Sequence, residues 1–301
     1  MTRAPLRLAA AQYPVSMHAS MAAWRDHAAR WVAEGAATGA RLLVFPEYGA
    51  IELASTFGRE VAGDLRQTLT AVAGVMDEAI AHYVDLAQAH GMHILAPSGP
   101  VRTPDGRFVN SATLVTPMGH LGTQSKLMMT PFERDWGIAP GQSLGVFDTV
   151  LGRIGIAICY DSEFPLLVRA LVEAGAELVL IPSCTERVSG YHRIRAAALA
   201  RALESTIATV VAPTVGDALW SPAVDRNSGA AGVFVPAEHA LSQTGVLAEG
   251  RLDAAGWVAA ELDFDSLARL RSRGEMRNRA DWSGQPGATG LSGLARLIRL
   301  G

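Results

Sequence analysis

Short apolar runs alternate with longer stretches of helical period from Leu6 to Leu262, and this alternation limits the chain to an α/β architecture. The strand-like runs are 6–12, 41–47, 92–97, 153–159, 178–182, 207–212, 233–236 and 257–262. Between them, 17–37 carries Trp24, Ala28 and Trp31 at helical spacing, and 63–90 carries Leu65, Leu69, Val72, Met76 and Ile80 in the same way. Segments 164–174, with Pro165 at its start, and 193–205 read as further helices. Runs 109–115 and 119–127 flank Thr116-Pro117-Met118-Gly119 and read as a hairpin. Strand–helix alternation interrupted by a hairpin predicts a mixed sheet with helices on its faces.

A hydrophobic content of 49% over 301 residues is enough for a large buried core. The net charge of -3 provides no basic footprint, so nucleic acid is not an expected partner. Two cysteines make no disulfide framework and fit a reducing compartment. The opening apolar run ends at Gln12-Tyr13-Pro14, too short and polar for a signal peptide, and no run approaches the ~18 apolar residues of a spanning helix. The expectation is a cytoplasmic protein without a membrane partner.

Two of the apolar runs end in reactive side chains. Glu47 closes Leu42-Leu43-Val44-Phe45-Pro46-Glu47, and Cys159 closes Gly155-Ile156-Ala157-Ile158-Cys159. Lys126 follows the hairpin in Ser125-Lys126-Leu127. The ends of parallel strands are where α/β proteins build sites. A carboxylate, an ammonium and a thiol on three such edges point to covalent catalysis, with an acid/base and an oxyanion partner beside the nucleophile.

In this order, the motifs resemble those of the nitrilase superfamily of carbon–nitrogen hydrolases. The resemblance runs from Leu6-Arg7-Leu8-Ala9-Ala10-Ala11-Gln12 to about Leu262. It rests on Phe45-Pro46-Glu47, on Lys126 followed by Pro131-Phe132-Glu133, and on Gly155-Ile156-Ala157-Ile158-Cys159-Tyr160-Asp161 with Phe164-Pro165 behind it. Ile181-Pro182-Ser183 and Ala200-Arg201-Ala202-Leu203-Glu204 continue it. It implies a four-layer α-β-β-α sandwich with two mixed sheets, and assembly into a homodimer or larger homo-oligomer. It implies that Cys159 is the nucleophile, with a nearby helix N-terminus helping to lower its pKa. Glu47 is then the general base, and Lys126 the oxyanion partner with the Tyr160 N–H as second donor. Glu133 corresponds to a second glutamate that orients substrate and lysine. No metal and no organic cofactor is implied.

Tyr160-Asp161 after the cysteine is similar to amidase-type branches, where true nitrilases carry Trp-Glu. Ser162 and Glu163 occupy the place where N-carbamoyl-D-amino-acid hydrolases carry arginines. Leu166 replaces a common glutamate after Phe-Pro. The implied activity is hydrolysis of a small carboxamide or N-carbamoyl compound through a thioester. A nitrilase, or a silent binding or scaffold subunit, are the alternatives.

Tyr48, Phe132, Trp136, Arg187 and His192 are candidate pocket residues, the last two on a loop after Cys184. Cys184 reads as a packed thiol rather than a pocket wall. His90 and His93 have metal-like spacing without further ligands nearby. The hydrolase domain is assigned to 1–280. Residues 281–301 form a C-terminal tail after the basic stretch Arg269 to Arg279, with Leu291, Leu294, Leu297 and Ile298 on one face. That face packs either on its own domain or on a partner subunit.

Overall fold

The computed structural model describes residues 3–288 and residue 290. Strand β1 (Leu6–Pro14) leads through helix α1 (Met21–Ala37) to β2 (Leu42–Val44). A 3-10 segment (Gly49–Phe57), short α2 (Arg59–Ala62) and long α3 (Leu65–His90) precede β3 (His93–Leu95), β4 (Gly99–Arg102), β5 (Phe108–Val115) and β6 (Leu121–Ser125). Then come α4 (Pro131–Trp136), β7 (Val146–Thr149), β8 (Gly152–Ile156), a 3-10 turn (Cys159–Glu163), α5 (Pro165–Glu173), β9 (Leu178–Ser183) and α6 (Val188–Ser205). The chain continues through β10 (Ala208–Asp217), β11 (Arg226–Asn227), β12 (Gly232–Phe234), β13 (Val246–Glu249), β14 (Gly256–Leu262), α7 (Phe264–Arg273) and α8 (Asn278–Asp281).

The strands form two mixed sheets. One runs β4-β5-β3-β2-β1-β14, with β6 against β5. The other runs β7-β8-β9-β10-β12-β13. They join where the end of β1 pairs with β10 at Tyr13↔Thr214. β1 alternates between two cores, as the two-residue period of a strand requires. Leu6, Leu8 and Ala10 face the second sheet, against Ile154, Ile156, Leu178, Leu180 and Val210. Ala9, Ala11 and Tyr13 face outward under α1 and α3, against Trp31, Val32, Val72 and Tyr83. On the opposite outer face, α5 and α6 cover the second sheet with Val168, Leu171, Ile194, Ala198 and Ala202. The layers are therefore α-β-β-α, the sandwich implied by the motifs.

Element boundaries follow local chemistry. Ser20 accepts from the Ala23 N–H and starts α1 four residues later than the periodic pattern suggests. Asp64 caps α3 through the Gln67 N–H, and Gly91 closes it in the left-handed region. β10 runs past Ala212 through Pro213, which falls between the residues paired with β12 and those paired with β1. A proline is tolerated where the ladder changes partner in this way. α6 begins at Val188, not near Arg193, so Tyr191 and His192 lie on a helix rather than on the expected loop. Tyr191, Ile194, Ala198, Ala202 and Ser205 supply its buried stripe, and Ser189-Gly190 hides the first turn from a periodicity reading.

Trp282 lies under the Arg169 guanidinium of its own chain at 4.4 Å, and Arg279 donates to the Val172 carbonyl at 3.2 Å. The apolar positions Leu291 to Ile298 lie outside the described residues. Among the described residues no helix is long and apolar enough to cross a membrane.

Leu180 is fully buried between the sheets, so Leu180→Ala is expected to destabilise the fold by about 2–5 kcal/mol, read as a lower urea midpoint with an unchanged slope.

Candidate active site

Four chain segments bring ionisable groups into one cavity of about 650 Å³. Glu47 lies three residues past the end of β2, Lys126 directly after β6, Cys159 three residues past β8, and Cys184 directly after β9. All four line the cavity with Glu133, Tyr48, Phe132, Trp136, Tyr160 and Arg187.

Lys126 is the centre of the site. Only 1% exposed, its Nζ donates to Glu47 Oε1 at 2.7 Å and to Glu133 Oε2 at 2.6 Å. An ammonium has three N–H donors, so one remains for a ligand. Burial pulls its pKa down, but the carboxylate of Glu47, the Cys159 sulfur and Glu133 together hold it above the usual lysine value. The lysine is therefore a fixed cation across the physiological range.

Glu47 is held on both oxygens. Oε1 also accepts from Asn110 Nδ2 at 2.9 Å, and Oε2 accepts from the Cys184 N–H at 3.0 Å. Burial nevertheless pushes its pKa up, to about 7, against the pull of Lys126. A carboxyl group at that value can both accept and return a proton near neutrality.

Glu133 is fixed by the start of α4. Thr130 caps the helix, and Glu133 reaches back to the Thr130 N–H at 2.9 Å in a reciprocal capping box. Tyr48 donates its hydroxyl to the other Glu133 oxygen at 2.8 Å. Burial raises the Glu133 pKa, but Lys126 and the surrounding donors outweigh it and hold the group below its ordinary value. Glu133 thus serves as the permanent counter-ion of Lys126.

Cys159 sits in the left-handed region at φ 47, an uncommon conformation for a non-glycine residue, and Tyr48 beside Glu47 does the same at φ 54. The turn lifts Cys159 out of the strand path. Asp161 anchors this turn: its carboxylate accepts from the backbone N–H groups of Ile158 (3.2 Å), Leu127 (3.1 Å) and Met128 (2.7 Å). One side chain therefore ties the cysteine turn to the lysine loop. The Tyr160 N–H has no acceptor among the described residues, as the start of a 3-10 turn leaves it.

The expectation of a thiol acidified by a helix N-terminus is corrected here. A 3-10 turn, not a helix, follows Cys159, and α5 starts only at Pro165. Burial and the neighbouring Glu47 carboxylate push the Cys159 thiol well above its ordinary value, with Lys126 only partly offsetting them.

Other sites differ from the sequence reading in detail. Cys184 is a cavity wall, and its backbone N–H positions Glu47. Arg187 stands at the rim with its side chain largely in solvent. His192 is exposed, meets the Tyr191 ring at a tilt of 48° with centroids 4.9 Å apart, and does not line the cavity. Phe132 and Trp136 wall the cavity beside Tyr48, whose ring meets Trp136 edge-on. Asn110 and Asp161 were missed. The one signal for Asn110 was a polar amide inside the apolar run 109–115.

The comparisons with known proteins bear on the family and the fold. The family model for carbon–nitrogen hydrolases matches residues 7–244. The chain is 31% identical over 278 residues to the probable hydrolase YhcX of Bacillus subtilis, covering 92% of this chain and 53% of that protein. It is 30% identical over 173 residues to the bifunctional nitrilase/nitrile hydratase NIT4B of Nicotiana tabacum, covering 54% and 49%. It therefore spans about half the length of these two relatives. Among solved structures, Saccharomyces cerevisiae Nit3, of branch 10 of the nitrilase superfamily, superposes with a TM-score of 0.69 at 20% identity, covering 90% of this chain and 94% of that one. An amidase from Nesterenkonia sp. gives 0.68 at 24% identity, covering 90% and 95%. At these identities the structural likeness concerns the fold.

With its thiol raised by burial, Cys159 is expected to react with iodoacetamide at a rate still climbing above pH 9; a plateau near pH 7 would reveal a resting thiolate instead. Asp161→Ala orphans three backbone N–H groups and is expected to destabilise the protein by roughly 1–3 kcal/mol or more, read by denaturant titration.

Proposed function

Because the chain belongs to the carbon–nitrogen hydrolase family, we propose that it is a cysteine-dependent amidohydrolase that cleaves a small carboxamide or N-carbamoyl compound through a thioester. The observation that carries this reading is the buried Lys126 between Glu47 and Glu133, 2.7 and 2.6 Å away, in the cavity that also holds Cys159.

The chemistry follows from the charges. Glu47 takes the Cys159 proton as the sulfur attacks the carbonyl carbon, so no free thiolate has to be stored beside a carboxylate. The developing oxyanion meets the third Lys126 N–H and the Tyr160 N–H. Protonated Glu47 returns its proton to the departing nitrogen, the C–N bond breaks, and the acyl group remains on sulfur. Glu47 then takes a proton from water as the water attacks the thioester and returns it to the departing sulfur, releasing the acid and restoring the thiol and the carboxylate. The sum is amide plus water giving acid plus ammonia or amine.

Glu133 neutralises Lys126 throughout, which leaves Glu47 free to cycle its proton. The cavity wall of Tyr48, Phe132 and Trp136 suits an apolar part of the substrate, and its rim mixes Glu163, Arg187, Asp225 and Arg226. The resemblance to plant nitrilases, including 27% identity to nitrilase 1 of Arabidopsis thaliana over 267 residues, supports nitriles as the second substrate class, since the same thiol attacks a nitrile carbon. We further propose, from the motif resemblance, assembly into a homodimer or larger homo-oligomer in the cytoplasm.

Ammonia release from a panel of amides, carbamoyl compounds and nitriles is the decisive assay. Cys159→Ala is expected to abolish it with the fold intact, and wild-type-like release from that variant would overturn the mechanism. Glu47→Gln is expected to lose a factor of about 10² or more in kcat. Glu47 must be ionised to accept the thiol proton, so kcat/KM is expected to rise with pH through about 7 and to lose that limb in Glu47→Gln.

A further inference from the structure

Behind β1, away from the cavity, a second cluster of ionisable groups is buried. Glu52 lies in the 3-10 segment five residues beyond Glu47 and is fully buried. Its Oε1 accepts from the Tyr13 hydroxyl at 2.7 Å and from Trp24 Nε1 at 2.9 Å, and its Oε2 from the Ser16 N–H at 3.3 Å. All three donors are neutral. The single ion-pair contact of Glu52 among the described residues is His18, whose Nε2 stands 3.5 Å from Oε2 without forming a hydrogen bond.

His27, from α1, faces His18 with ring centroids 4.8 Å apart. The Nε2 atoms of both histidines are buried and have no hydrogen-bond partner among the described residues. His18 itself is 93% buried. One ligating atom each from His18, His27 and Glu52 lies within 4.8 Å of the other two. None of the three residues lines the active-site cavity.

We propose that His18, His27 and Glu52 form a structural site for a divalent transition cation of the Zn²⁺ class. Two imidazoles and one carboxylate are a zinc donor set, with a water in the fourth position. Ligand atoms at ordinary zinc distances stand roughly 3.3 Å apart, so the three groups, now within 4.8 Å of one another, have to draw together on binding. The outer contacts are those such a site needs, because Tyr13 and Trp24 fix the Glu52 carboxylate from behind. The cation would satisfy two orphaned ring nitrogens and balance a buried carboxylate in one step. It would tie α1 and the loop before it to the segment that begins immediately after Glu47 and Tyr48, and so brace the site from behind without taking part in the chemistry.

The test uses the full chain, stripped of metal with a chelator and titrated with Co²⁺ and then Zn²⁺. One equivalent of Co²⁺ is expected to give a visible d–d band without a thiolate charge-transfer band. That binding is expected to persist in Cys159→Ala and to weaken at least about 10-fold in His27→Gln. Zn²⁺ is expected to raise Tm by several degrees in wild type and in Cys159→Ala, a readout independent of the folding of His27→Gln. Absence of stoichiometric binding, binding unchanged in folded His27→Gln, or binding lost in Cys159→Ala would each overturn the proposal. The last would place the metal on the cavity thiols.

Discussion

The ammonium of Lys126, buried between two carboxylates, is the interaction on which the rest of the site depends. Lys126 and Glu133 cancel, so the ionisation of Glu47 decides whether the cluster carries a net negative charge. On side chains as buried as these that extra charge is expensive, and the cluster resists it. This is why Glu47 sits near neutrality despite three donors aimed at it. It is also why the thiol beside it keeps its proton: a thiolate would be a second excess anion. The charge balance couples the two groups, since the site accommodates one excess negative charge on either the carboxylate or the sulfur more readily than on both.

The fold supplies what this arrangement costs. Breaking any of these contacts leaves a charge stranded, so the partners must be held before substrate arrives. The two sheets do this by ending four strand-borne segments around one cavity. Asp161 welds two of those segments together through backbone N–H groups that would otherwise be orphaned. The left-handed residues Tyr48 and Cys159 each store about 1–3 kcal/mol of backbone strain, and both adjoin the chemistry. A large inter-sheet core is what makes such strain sustainable.

Much of this was legible in the sequence, and the part that was not has a physical reason. Strands buried on both faces read as continuous apolar runs, so Leu42 to Val44 and Leu178 to Ile181 stand out. Glu47 and Cys159 were visible because a reactive group ending such a run is unusual, and Lys126 because its motif accompanies theirs. Asn110 and Asp161 act through partners 63 and 34 residues away, a distance no local pattern encodes. The cluster of His18, His27 and Glu52 is hidden in the same way, while the eye is drawn to the closer spacing of His90 and His93. His192 was misplaced because Ser189-Gly190 reads as loop while the buried stripe from Tyr191 to Ser205 makes it helix. The acidified thiol was expected from a strand–helix junction, and the intervening 3-10 turn removes that junction.

A thiol kept neutral at rest changes how selectivity arises. A free thiolate reacts with any accessible electrophile or oxidant, and its chemistry is set by exposure and pKa alone. Here the sulfur becomes nucleophilic only as Glu47 removes its proton, and that transfer moves the excess negative charge from the carboxylate toward the substrate. The transfer is favourable only if the charge then lands on an atom that Lys126 and the Tyr160 N–H can reach. A carbonyl positioned against those donors meets the condition; an electrophile elsewhere in the cavity does not. The lysine thus stabilises the product of attack and, through the same charge balance, makes substrate placement the event that activates the nucleophile.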